Sequence, residues 1–350
     1  MHRYRIRILP SLLALALTAG LAAGGPDQAQ AQGCELDRTI RFAGNDWQSS
    51  HFHNAVAGFI LEKGYGCKTT SVPGTTQPLL NALARGDVDI LMELWKANNV
   101  EIWAKMMRSG RVVETKGISI QGAVQGWFVP RYLVEGDAKR GIKASASGLK
   151  SVADLPKYKA LFKDPENPRK GRFYNCKLGW NCERVNSKKL VAYNLLGHYT
   201  NFQPGSGAAL AAAIGSAFQR GRPILFYYWG PTWVLGKYDA VMLQEPPFDK
   251  TKWDRLDKSK NGRGVEATAY PTIKVYVAAN RKFAKSAPRI IAFLAKYTMQ
   301  DAMVNRALVY MRESKDKTGR KSAIRFLKAN PEVWKKWLPA DVAARVGKAL

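Results

Sequence analysis

Two segments of the chain place a helical pattern directly before an apolar strand that ends at a tryptophan. In "PGTTQPLLNALARGDVDILMELW", a leucine stripe starts at Pro78, a glycine ends it, and an apolar run covers residues 88–94. "GRPILFYYWGPTW" repeats the pattern with an apolar run over residues 224–228. Helix–strand alternation predicts an α/β fold with parallel sheets, whose ligands bind beyond the carboxyl ends of the strands. Trp95 and Trp229 are therefore expected at a ligand-binding edge.

Segments nearer the two ends of the chain also fit an α/β fold. "RTIRFAGND" predicts a first strand, residues 52–63 predict an amphipathic helix, and "CKTTSV" predicts a second strand. Residues 288–294 predict a helix that packs outside a sheet.

Residues 1–31 are typical of a secretory signal peptide. Three arginines precede residue 8, a mostly apolar stretch runs to residue 23, and Ala29-Gln30-Ala31 is a small-x-small cleavage site. The alternative, a membrane anchor, fits less well because the stretch is short and Pro10 interrupts it. We expect cleavage after Ala31 and a periplasmic mature protein.

Positive charge dominates the composition. The chain has 55 Lys and Arg against 27 Asp and Glu, a net charge of +28, and residues after position 31 carry +26 of it. Such a field can attract nucleic acid or an anionic membrane surface. The charges are scattered over amphipathic segments instead of forming one basic tail, which favours a solvated surface with loose affinity for anionic lipid. Nucleic acid is not an expected partner.

All four cysteines follow the predicted cleavage site. In an exported chain, four cysteines indicate two disulfides, for which three pairings exist. Proximity favours Cys176–Cys182, which leaves Cys34–Cys67. A zinc site is less consistent with the spacing, because five residues separate the close pair and no histidine is near it in sequence. We therefore expect no metal.

Common catalytic motifs are missing from the sequence. There is no Gly-x-Ser-x-Gly elbow, no Walker loop and no glycine fingerprint after a strand. His51 and His53 form a His-x-His pair without an evident third ligand. These observations predict neither an enzyme nor a bound cofactor.

Tryptophan is the notable residue type, with ten in the chain. Trp95 and Trp229 follow predicted strands, and Trp180 lies in "GWNCERVN", between the two close cysteines. Indole faces attract cations, and a quaternary ammonium has no N–H group that could donate to another kind of receptor. The three tryptophans therefore predict a box for such a cation.

Three segments, "RGDVDILMELW", "CKLGWNCE" and "FYYWGPTW", carry a family resemblance. In their order and spacing the chain resembles the periplasmic glycine-betaine/proline-betaine-binding proteins that feed ABC importers. The resemblance implies a two-lobe periplasmic-binding-protein fold of type II, each lobe a mostly parallel sheet flanked by helices, with a hinge between them. Lobe one would comprise residues 32–126 and 265–350, and lobe two residues 127–264.

The resemblance also assigns roles to individual residues. Trp95 from one lobe and Trp180 and Trp229 from the other would enclose a trimethylammonium group, and the backbone amides of Asn181 and Cys182 would hold the ligand carboxylate. It further implies a monomer that delivers its ligand to a membrane permease.

The chain departs from the family pattern at the carboxylate site. Asn99 stands where the nearest relatives place a histidine that grips the carboxylate. Trp47 stands about where choline-binding relatives use an aromatic residue, with Ser49 nearby to meet a hydroxyl. Glycine betaine is the first expectation. Choline or carnitine on the same scaffold, or an exported enzyme acting on such ligands, are the alternatives.

Overall fold

A nine-stranded mixed sheet organises residues 33–350, the part of the chain that the computed structural model describes. The predicted signal peptide and its cleavage site lie outside the described residues. The strands, in chain order, are β1 (Ile40–Asn45), β2 (Thr69–Gly74), β3 (Ile90–Leu94), β4 (Val112–Pro130), β5 (Gly171–Tyr174), β6 (Tyr199–Phe202), β7 (Leu225–Gly230), β8 (Ala240–Met242) and β9 (Ile273–Asn280).

Helices cover the sheet and account for most of the remaining chain. The α-helices are α1 (Gln48–Gly64), α2 (Thr76–Arg85), α3 (Val100–Arg108), α4 (Arg131–Val134), α5 (Asn181–Ala192), α6 (Gly207–Arg220), α7 (Trp233–Lys237), α8 (Lys250–Lys258), α9 (Arg281–Ser286), α10 (Pro288–Lys296), α11 (Asp301–Glu313), α12 (Arg320–Ala329), α13 (Pro331–Trp334) and α14 (Ala340–Lys348). Short 3-10 helices cover Lys96–Asn98, Ala138–Arg140, Val152–Tyr158 and Lys335–Trp337.

The strand order divides the sheet into two halves. It runs β2-β1-β3-β9-β4-β7-β5-β6, with β8 paired to β4. The predicted parallel pairing is present in β2-β1-β3 and in β7-β5-β6. The strands between these sets pair antiparallel. We call β2-β1-β3-β9 the first half and β7-β5-β6 with β8 the second half.

One strand, β4, joins the two halves. Its first part pairs with β9, and residues 124–130 pair with β7 and β8. The lobe boundary predicted at residue 126 therefore falls inside a continuous strand. The assignment of residues to two lobes remains a prediction.

The helix–strand units read from the sequence are confirmed. α1 begins at Gln48, four residues before the predicted start, and buries Phe52, Val56 and Phe59. These positions recur at helical spacing, so one stripe of α1 faces the core. α2 ends at Arg85, and the next residue, Gly86, has a φ of 89°, in the left-handed region that favours glycine.

Both predicted disulfides are present. Cys34 is bonded to Cys67, which ties the start of the described chain to the segment leading into β2. Cys176 is bonded to Cys182, which closes the loop that leads into α5. Within residues 33–350, no helix combines the length and the apolar character needed to cross a bilayer.

The two disulfides should contribute unequally to stability. The cysteines of the first pair are 33 residues apart and those of the second are 6 apart. On loop-closure entropy, replacing the first pair with serines should lower the free energy of unfolding by about 3–4 kcal/mol, and replacing the second by about 2 kcal/mol. Urea unfolding of both double variants measures this. Equal decreases in the free energy of unfolding for the two double variants would contradict the explanation by loop-closure entropy.

Candidate functional site

Four tryptophans line one cavity, and they come from both halves of the sheet. Trp47 precedes α1 and Trp95 follows β3, while Trp180 precedes α5 and Trp229 lies in β7. The Trp180 ring lies 5.6 Å from Trp47 and 5.3 Å from Trp229, centroid to centroid, and both pairs are inclined at 84°. Nearly perpendicular rings form adjacent walls of a box. The structure thus brings together Trp95, Trp180 and Trp229, the three tryptophans predicted from the sequence, with Trp47, which the resemblance offered as an additional candidate.

The loop closed by the second disulfide holds Trp180 against the first half. The Trp180 indole Nε1 donates to Asp46 Oδ1 at 2.5 Å, and Lys177 forms an ion pair with the same carboxylate. A Cβ at Gly207 would lie 2.6 Å from the Trp180 ring, so α6 can begin here only because this position is glycine. Trp180 is 4% exposed, and its indole edge is anchored to the segment between β1 and α1.

A buried carboxylate anchors two further indoles. Glu93 Oε2 accepts hydrogen bonds from Trp47 Nε1 at 2.8 Å and from Trp95 Nε1 at 3.0 Å. The side chain lines the cavity and is 2% exposed, and its Oε1 has no partner among the described residues. Burial raises the pKa of the Glu93 carboxyl, and the nearby polar groups of Ser49, Trp47 and Trp95 partly oppose this shift.

Sequence reasoning missed Glu93, although a signal was present. It is the one acidic residue in the apolar run "ILMELW", two positions before Trp95. Side chains two residues apart on a strand point to the same face, so an acidic side chain at this position is expected beside the tryptophan in the site.

Polar groups also line the cavity. Asn181 and Cys182 begin α5, so their backbone N–H groups have no acceptor within the helix, as is general for a first turn. The amide side chain of Asn181 is buried without a partner among the described residues, and so is that of Asn45. Asn99 also lines the cavity, where its Nδ2 donates to the Trp95 carbonyl at 2.9 Å. These groups can receive the polar end of a small ligand.

A hydrogen-bonded triad connects the two halves beside the box. Gln125 Oε1 accepts from Asn98 Nδ2 at 2.7 Å and from the Tyr227 hydroxyl at 2.8 Å. All three side chains line the cavity. Ser49 does not line it. Ser49 lies on a neighbouring groove.

Further contacts hold the loop after β3 to the second half. The Trp253 indole donates to the Ala97 carbonyl at 2.8 Å, and Arg184 donates to the Asn98 carbonyl at 2.9 Å. Arg184 is itself held by Asp257 at 2.6 Å. Since this loop carries Asn98 and Asn99, these contacts keep polar groups of the first half over the cavity.

The two histidines of the His-x-His pair contact different partners. His51 Nδ1 lies 3.1 Å from the Lys317 carbonyl, while the fully buried His53 places Nδ1 2.8 Å from the Tyr297 hydroxyl. Burial lowers the pKa of His53 from 6.5 to about 3.

Residues 38–329 match the family described as the substrate-binding domain of ABC-type glycine betaine transport systems. The chain belongs to this family. It is 26% identical over 236 residues to the glycine betaine/proline betaine-binding periplasmic protein of Escherichia coli (strain K12), covering 66% of this chain and 68% of the relative. It is 23% identical over 345 residues to the glycine betaine-binding periplasmic protein OusX of Dickeya dadantii (strain 3937), covering 95% and 98%.

Solved structures of the family's type show the same fold. A choline-binding protein of an ABC transporter, in complex with choline, superposes with a TM-score of 0.70 at 19% identity, over 89% of this chain and 97% of its own. Lactococcal OpuAC, closed around glycine betaine, superposes with a TM-score of 0.64 at 19% identity, over 87% and 100%. The chain therefore has the two-lobe fold of the periplasmic substrate-binding proteins, and the family resemblance read from the sequence is confirmed.

The buried His53 should make the protein acid-sensitive. Its folded-state pKa lies below its unfolded value, so its contribution to stability is present above pH 6.5 and is lost as the pH falls towards 3. Between pH 7 and pH 4 this one group should remove about 3 kcal/mol from the free energy of unfolding. His53→Gln should flatten that pH slope in urea unfolding experiments. His51→Gln, which removes a histidine from the same helix, is the matched control. Equal slopes in the parent and His53→Gln would contradict the assignment.

Proposed function

We propose that this protein is the extracytoplasmic substrate-binding component of an ABC importer for a quaternary-ammonium solute. The observation that carries the proposal is the convergence of four indoles, from both halves of the sheet, on one cavity. An aromatic enclosure suits a cation whose charge is covered by methyl groups, because such a cation can donate no hydrogen bond.

The binding free energy expected from the tryptophans is consistent with micromolar affinity. Four indole faces at ~1–2 kcal/mol each contribute roughly 4–8 kcal/mol, and micromolar binding needs about 8 kcal/mol. Contacts of the ligand methyl groups with the apolar part of the lining, from Leu80, Leu91 and Leu94, can supply a further share.

Glycine betaine is the first ligand candidate. The free amides of Asn181 and Cys182 at the start of α5 lie where an anionic group is favoured, since a helix N-terminus carries partial positive charge. The relatives from Escherichia coli and Dickeya dadantii are named for glycine betaine, which supports the same choice.

Choline is the second candidate, and particular residues favour it. Asn99 brings no positive charge to the cavity, and Glu93 brings a negative one. A structural neighbour of the same fold binds choline. The features that favour choline are separate from the α5 amides that favour glycine betaine. Comparing the affinities of the two ligands can therefore distinguish the candidates.

The proposal includes export and a conformational cycle. The N-terminal pattern supports a periplasmic protein cleaved after Ala31, as the periplasmic relatives do. Lobe one, residues 32–126 and 265–350, and lobe two, residues 127–264, would close on the ligand as a monomer and present the closed form to a permease. The contacts of Asp46 with Trp180 and of Arg184 with Asn98 join these two lobes, which supports closure over the cavity.

Removing one wall of the box tests the proposal. Trp180→Ala should weaken binding of glycine betaine or choline about 10- to 100-fold, because a cation–π contact and its enclosure are lost. Calorimetric titration measures this. Trp180→Phe keeps an aromatic face and should lose less, and the buried, remote Trp334→Phe should lose nothing. If Trp180→Ala bound glycine betaine and choline with unchanged affinity, the proposal that the tryptophans enclose the cation would be wrong.

The positive charge of the ligand can be tested separately. Choline should bind at least about tenfold more tightly than 3,3-dimethyl-1-butanol, a neutral analogue of the same shape. The reason is that indole faces attract the positive charge in addition to contacting the methyl groups. Equal affinity for the two compounds would show that the cavity recognises shape alone.

A further inference from the structure

The cavity contains one charged side chain, and no protein cation compensates it. Glu93 is the only Asp, Glu, Lys or Arg among the lining residues. Within residues 33–350 its carboxylate forms no ion pair, and its hydrogen-bond donors are the neutral indole N–H groups of Trp47 and Trp95. The two indoles use one oxygen, Oε2, and leave Oε1 buried and unpartnered.

The aromatic faces of the box are also without a protein cation. No Lys or Arg of the described chain stacks on Trp47, Trp95, Trp180 or Trp229. On the neighbouring groove the contrast is direct, because the Arg312 guanidinium lies 4.9 Å from the ring centre of Trp233. The protein therefore supplies cations to aromatic rings nearby but not to the box.

A buried carboxylate without a counter-charge is unfavourable. Moving an ionised group out of water costs free energy unless a charge of opposite sign or hydrogen bonds compensate it. The raised pKa of Glu93 reflects this cost. A cation held between the rings would offset it, since the carboxylate binds the edges of two of those rings.

We infer that Glu93 selects the net charge of the ligand, because its carboxylate is the counter-charge of the cation in the box and favours net-positive ligands over zwitterions that carry the same trimethylammonium group. The inference rests on the proposed function, which puts a quaternary ammonium between the tryptophans. In a zwitterion the ligand's own carboxylate partly cancels the attraction and is itself repelled by Glu93. The other polar side chains of the lining, such as Asn99 and Gln125, are neutral and do not reverse this preference.

Removal of the charge with little change of shape tests the inference. In Glu93→Gln, the amide oxygen can still accept the two indole N–H groups. At the low effective dielectric of a closed site, we expect choline to bind about tenfold or more weakly, with a change of less than about threefold for glycine betaine. Calorimetric titration of both ligands into parent and variant gives the ratio of dissociation constants directly.

Glu114→Gln is the matched control. Glu114 also accepts an indole N–H, from Trp103 at 2.6 Å, but it is paired with Lys96 and does not line the cavity. This variant should leave the ratio of the two affinities unchanged. A ratio that shifts equally in both variants would overturn the specific role of Glu93.

The other outcomes separate the inference from the proposed function. If Glu93→Gln weakens choline and glycine betaine by the same factor, Glu93 only orients the indoles and the inference fails, while the proposed function stands. If the parent binds neither ligand, the proposed function fails.

A measurement on the parent protein avoids dependence on the folding of the variant. Glycine betaine methyl ester keeps the trimethylammonium group and lacks the anion, so it should bind at least as tightly as glycine betaine. An ester that binds more weakly than glycine betaine would overturn the inference.

Discussion

The anchoring of indole edges on two carboxylates, the exposed Asp46 and the buried Glu93, is the interaction on which the cavity depends. Asp46 accepts the N–H of Trp180, and Glu93 accepts those of Trp47 and Trp95. Each bond satisfies the polar edge of a ring and fixes its plane, which leaves the apolar, electron-rich face for a ligand. Without these bonds the rings could turn, and their faces would no longer enclose one volume.

The fold supplies the anchors from separate parts of the chain. Glu93 and Trp95 come from the end of β3, Asp46 and Trp47 follow β1, and Trp180 arrives from the second half on a disulfide-closed loop. Strand β4 runs through both halves, so the halves remain joined while the loops at their facing edges meet. A disulfide that restricts the Trp180 loop before binding reduces the ordering cost of the complex.

Much of the architecture was predictable because its determinants are local. The leucine stripe before Gly86, the apolar run before Trp95 and the pairing of the two close cysteines each depend on residues near one another in sequence. The antiparallel pairing of β9 with β3 and β4 was not predictable, because strand partners more than a hundred residues apart leave no local pattern. Glu93 was also missed, since a single acidic residue in a strand does not reveal whether it meets a cation, water or an indole.

The sequence alone determined the α/β class, the two disulfides, the three principal tryptophans and the family, because periodicity, cysteine spacing and short motifs are properties of neighbouring residues. Only the tertiary structure decided that Trp47 joins the box, that Asp46 and Glu93 hold the indole edges, and that Ser49 stands outside the lining. The contact of Trp47 with Glu93 joins residues 46 positions apart, and that of Trp180 with Asp46 joins residues 134 positions apart. Their geometry follows from how β1, β3 and the Trp180 loop pack together, and packing across such separations is set by the whole core.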